Sequence, residues 1–165
     1  MSPLFRRGER QEPQPDLRAQ ALHTDPSSLG FSPSVDQPLW GAMMDMAFSG
    51  GAASLVSLVD GTTSLYTSTG GGVIGGGAHQ SVVVATHAFL DAVGQHLAEF
   101  SATDADDLPP SGTVRFHALG FGERRRADAP EADLQAREHP LWPLYYAGHD
   151  VITALRIATE GDASG

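Results

Sequence analysis

Apolar residues recur along this chain in two rhythms, one of three and four positions and one of two, and the elements follow from where each holds. Leu39, Met43 and Ala47 fall on one helical face with Trp40, Met44 and Phe48 beside them, which predicts a helix over about 38–48. Ser34 or Asp36 would cap it, Pro38 suits its first turn, and Gly50-Gly51 would stop it. Ala53–Val59 and Thr62–Ser68 read as strands on either side of Asp60-Gly61, a pair that favours a two-residue type I′ hairpin turn. The glycine run Gly70–Gly77 then leads into a helix over His79–Phe100, where Thr86, Leu90, Val93, Leu97 and Phe100 make a stripe. Thr113–Leu119 alternates, with Val114, Phe116 and Ala118 on one face and Arg115 and His117 on the other. Residues 122–127 read as a further strand, turning at Asp128-Ala129-Pro130 into a return segment around Leu134. A last helix over Pro140–Ala158 would bury Leu144, Val151 and Leu155, with Tyr145 and Ile152 alongside.

The predicted order is α-β-β-α-β-(β)-(β)-α. Strands joined by a tight turn are antiparallel, and the helices need a sheet face to cover. The expected fold is therefore an α/β sandwich, a single mostly antiparallel sheet with helices packed on it. Residues 1–33 carry five prolines and few large apolar side chains, so they are expected to form a flexible N-terminal tail. Residues 34–159 form the expected single domain, and 160–165 a frayed C-terminus.

Composition narrows the function classes. Cysteine is absent, which removes thiolate nucleophiles and Cys-based zinc sites, and no apolar run reaches the roughly 20 residues of a membrane span. All ten basic residues are arginine; the missing lysine excludes a Schiff base and a Walker-type phosphate lysine. With abundant Ala, Gly and Pro, that bias is the mark of a GC-rich bacterial coding sequence. A net charge of −10 argues against nucleic-acid binding. A cytoplasmic protein with no membrane or nucleic-acid partner is the expectation.

The hairpin Ser54-Leu55-Val56-Ser57-Leu58-Val59-Asp60-Gly61-Thr62-Thr63-Ser64-Leu65, in that element order, resembles the dynein light chain roadblock family within the profilin-like and longin-like group. The resemblance spans roughly residues 35–158. It implies a non-enzymatic homodimer that partners a small GTPase.

Candidate chemistry is sparse. Gly70-x-Gly72-x-x-Gly75 matches a dinucleotide fingerprint, with His79 at the following helix entrance, and could hold an anion on backbone N–H groups. The strand before it belongs to a hairpin, whereas the fingerprint requires a βαβ unit, so a bent strand end explains the glycines better. His87 and Asp91 stand at i, i+4 but lack a third metal ligand, and Asp104, Asp106 and Asp107 read as a solvated loop. Trp142, Tyr145 and Tyr146 are candidate interface anchors, and Arg124, Arg125 and Arg126 a candidate contact for an acidic partner. No catalytic residue, metal or cofactor is assigned. The favoured reading is an adaptor acting through protein contacts as a homodimer; the alternative is a small-ligand or nucleotide-binding protein, or an enzyme, using the glycine run.

Overall fold

The computed structural model describes residues 17–35, 37–68, 72–74 and 79–164. Helix α1 (Leu17–His23) and a 3-10 turn at Pro26–Leu29 precede strands β1 (Leu39–Phe48), β2 (Gly51–Leu58), β3 (Thr63–Thr67) and β4 (Gly72–Ile74). Helix α2 (Gln80–Gln95), strands β5 (Ser101–Ala102), β6 (Thr113–Gly120) and β7 (Arg124–Pro130), then helices α3 (Glu131–Gln135) and α4 (Trp142–Ser164) complete the chain. The strands form one sheet in the order β4-β3-β2-β1-β6-β7-β5, with every neighbouring pair antiparallel. The fold is an α/β sandwich, as expected. No helix among the described residues is long and apolar enough to cross a membrane.

The segment expected as the first helix is instead the central strand. β1 is bonded to β2 on one edge and β6 on the other, and it is buried on both faces. Ala42 and Met44 join a core with Phe89, Leu90, Phe116 and Leu144 under α2 and α4. Met43 joins Leu22, Val56 and Leu119 on the opposite face. A strand buried on both faces shows a continuous apolar run, which carries no period of two. Pairing along both edges then outweighs the helix preference of its Ala and Met residues.

The N-terminal boundary also differs. Residues 17–33, expected within a flexible tail, contain α1 and the 3-10 turn, and Leu22 is buried against the sheet. They form a strap over the face that α2 and α4 leave uncovered. At the other end, α4 runs to Ser164, past residue 159. The return segment after β7 is the short helix α3 rather than a strand, and it buries Leu134.

The Asp-Gly hairpin is present with a different turn. The Gly61 N–H donates to the Leu58 carbonyl and the Leu58 N–H to the Thr62 carbonyl, leaving a three-residue loop. Gly61 alone takes the left-handed conformation, at φ +93, so this is a type I turn closed by a glycine bulge. Gly61→Ala should lower stability by about 1–2 kcal/mol, since a Cβ there is strained and meets Val83. Gly94→Ala, in open space near the end of α2, should raise it by about 0.5–1 kcal/mol. Urea unfolding of the two variants checks both signs.

Candidate functional site

β6 alternates as expected, but both of its faces are buried. Val114, Phe116 and Ala118 enter the core under the helices, while Arg115 and His117 point to the strap side with Leu119. Register brings polar residues of three strands together there: Asp45 of β1 lies between Ser54 of β2 and Arg115 of β6, and His117 follows one step along. Asp45 and His117 are fully buried.

A carboxylate buried in a sheet needs donors, and Asp45 has them from three directions. The Ser54 hydroxyl donates to Oδ1 at 2.6 Å, and His117 Nε2 lies 3.3 Å from Oδ2. The third direction is the strap. Arg18 Nε donates to Oδ1 and Oδ2 at 3.0 and 3.1 Å, and Nη2 to Oδ2 at 2.7 Å. The rest of the guanidinium donates to main-chain carbonyls, Nη1 to Asp106 O at 2.5 Å and Nη2 to Asp107 O at 3.2 Å. The planar five-donor fork of arginine is thus bound along its edges by five contacts to four oxygens.

A wider ionic layer continues from this pair. Arg115 bridges Asp128 and Asp107, Arg126 reaches Asp107, and Arg124 pairs with Asp106, which also meets His23 at 2.5 Å. The loop expected to be solvated therefore binds the strap to β6 and β7 through its carbonyls and carboxylates.

Burial alone would raise the Asp45 carboxyl, but the hydrogen bonds from His117 and Arg18 outweigh it and hold it down to about 2. Burial pushes His117 in the direction of the neutral form, with Asp45 opposing. The neutral ring that fits gives its Nε2 proton to Asp45, which leaves Nδ1 as a buried acceptor with no partner among the described residues. Serine, aspartate and histidine are all present, yet the carboxylate stands between the other two. The Ser54 proton is directed to Asp45 rather than to an imidazole, so this trio holds charge and does not form a nucleophile–base pair.

Next to the layer, Leu22, Trp40, Leu119 and Arg124 help line an open cleft of about 430 Å³. The Trp40 indole donates to Gly120 O at 3.1 Å and closes one wall.

No family model, curated protein or solved structure matches this chain.

The expected site residues are spread over the molecule. Gly72 belongs to the edge strand β4 and pairs with Tyr66, while Gly70 and Gly75, like the Asp36 cap, lie outside the described residues. His79 stands just before α2, its carbonyl accepting from Val82 and Val83. The His87 Nε2 lies 3.1 Å from Val59 O. Arg124, Arg125 and Arg126 follow one another on β7, and Arg125 pairs with Glu123. Tyr145 is buried, donating to Glu131 at 2.8 Å, whereas Trp142 and Tyr146 stay half-buried and pack edge to face. No cluster of three or more metal-ligating side chains occurs among the described residues.

Arg18, Asp45, Ser54 and His117 were absent from the sequence-based candidates. One signal was available: Asp45 is the single charge in the ten-residue apolar run of β1, and a buried acid demands a cation from elsewhere.

The two titrations act at different pH. His117 resists protonation in the folded chain, while the unfolded chain takes up a proton near 6.5, so stability should fall as pH drops below that value. His149, lowered by burial, acts in the same direction. The Asp45 contribution is full above about 4 and should be lost as pH falls from there to about 2, a change of about 2 kcal/mol. Thermal melts from pH 7 to pH 2 should show both limbs, with His117→Gln shrinking the first. An unchanged melting temperature between pH 7 and 5 would contradict the assignment.

Proposed function

We propose that this protein is a non-enzymatic bacterial adaptor that works in the cytoplasm through protein contacts, as a homodimer. The observation that carries the reading lies at the junction of α3 and α4. Arg137 is the one non-glycine residue among those described with a left-handed backbone, at φ +61. It closes α3 in a Schellman arrangement, its N–H donating to Leu134 O and that of Glu138 to Asp133 O. Glycine would hold this position without strain, whereas arginine costs about 1 kcal/mol.

What the arginine adds is a surface. Its guanidinium carbon lies 4.8 Å from the Trp142 ring centre and 5.0 Å from that of Tyr146. The stack is exposed at Arg137 and half-buried at the two rings. Arginine, tryptophan and tyrosine are the residues that dominate interface hot spots, and backbone strain collects at functional positions. The roadblock-like resemblance supports the homodimer and adds a small GTPase as the class of partner.

Arg137→Gly separates interface from fold, because relief of strain offsets the lost stacking of about 0.5–1 kcal/mol. Sedimentation equilibrium should show a dimer at micromolar concentration for the wild type, and a dissociation constant raised at least about tenfold for the variant. Its melting temperature should stay within about 3 °C of the wild type. A monomeric wild type, or a variant that dimerises equally well, would contradict the reading.

A further inference from the structure

The strap and the sheet face beneath it are unequal partners. The Asp45 carboxylate is fixed on the central strand, between Ser54 and His117 of the two flanking strands. The carbonyls of Asp106 and Asp107 come from a loop tied to β6 and β7 by Arg115, Arg124 and Arg126. Apart from the His23 contact to the Asp106 carboxylate, this half of the contact is held by the sheet and by the arginines of β6 and β7, and it offers four oxygens in the geometry of a guanidinium.

The strap is weakly made by comparison. α1 has seven residues, well below the length at which a helix is stable alone. From Arg18 to Val35, only Arg18 and Leu22 among the described residues are buried. These two sit one helical turn apart, so a single face of a short helix supplies the charge and the apolar anchor. Between Gly30 and Leu39 the described residues form no helix or strand, and Phe31, half-buried against Trp40, is the one large side chain there that packs on the sheet.

Charge fixes what can take its place. Asp106, Asp107 and Asp128 have arginines of β6 and β7 as partners, whereas among the described ion pairs Arg18 is the only arginine on Asp45. Lifting the strap would leave a buried carboxylate without its cation, and only another cation with the same fork would meet all four oxygens. We propose that the Asp45 pocket is a binding site for the arginine of a partner protein's helical Arg-x-x-x-Leu segment, which residues 17–29 occupy in the partner's absence. The segment of this chain is the template: Arg18 fills the oxygen pocket and Leu22 packs against Met43, Val56 and Leu119. The site lies on the face opposite α2 and α4 and does not depend on the homodimer.

The probe is a synthetic peptide of residues 17–29 in trans against the full-length chain carrying Arg18→Ala and Leu22→Ala. Isothermal titration should show saturable binding, weakened at least about tenfold when the peptide's own arginine is replaced by alanine. Adding Asp45→Asn to the protein should abolish it, and the wild-type protein, whose strap competes, should bind at least about tenfold more weakly than the emptied variant. Absence of binding to a folded variant, or binding indifferent to Arg18 of the peptide or to Asp45, overturns the proposal. Should the emptied variant fail to fold, native-state hydrogen exchange on the wild type decides. Amides of residues 18–29 should open while those of β1, β2 and β6 stay protected; exchange of the strap only through global unfolding overturns the proposal. Arg137→Gly should leave peptide binding unchanged, so a failed homodimer and a failed arginine site are told apart.

Discussion

An aspartate in the middle of a central strand cannot be left without a cation, and in this protein the cation comes from outside the sheet. Desolvating a lone carboxylate costs several kcal/mol, and hydrogen bonds from Ser54 and His117 supply dipoles without cancelling the charge. Arg18 cancels it, and in doing so draws residues 17–33 across a face that α2 and α4 do not cover. Leu22 and the apolar ends of Met43, Val56 and Leu119 are then buried together. The ion pair decides where the strap lies; the apolar contact adds stability to that choice.

The two faces of the sheet consequently follow different rules. Under α2 and α4, Phe89, Leu90, Phe116 and Leu144 make an ordinary apolar core. Under the strap, carboxylates and guanidiniums alternate from β1 to β7, and the loop before β6 is held down by carbonyls that serve as acceptors. Such a layer adds less net stability than hydrocarbon of equal volume, because each charge was better solvated in water. What it confers is selectivity for one kind of cation, planar and able to donate along two edges.

Much of the fold was legible in the sequence, for reasons that can be traced to single elements. The α2 stripe of Thr86, Leu90 and Val93 and the alternation of β6 each report an element with a fixed period. β1 reads as a helix in the sequence because burial on both faces erases the period of two. The strap reads as a tail because long-range contacts hold it, Arg18 on Asp45, His23 on Asp106, and Leu22 and Phe31 against the sheet, and composition does not register them. Sequence distance also hides the site: strand register brings Asp45, Ser54 and His117 together, and Arg18 reaches them from α1. Arg137 gave no signal at all, since its backbone conformation is set by the end of α3.

The most direct test of this picture is a double-mutant cycle on Arg18→Ala and Asp45→Ala, read by urea unfolding. Arg18→Ala alone should cost about 3–5 kcal/mol, because it strands the buried carboxylate, and Asp45→Ala added to it should recover part of that loss. The coupling should reach at least about 2 kcal/mol. Costs that simply add, with a coupling below about 0.5 kcal/mol, would show that the strap is held by something other than this pair and would contradict the account.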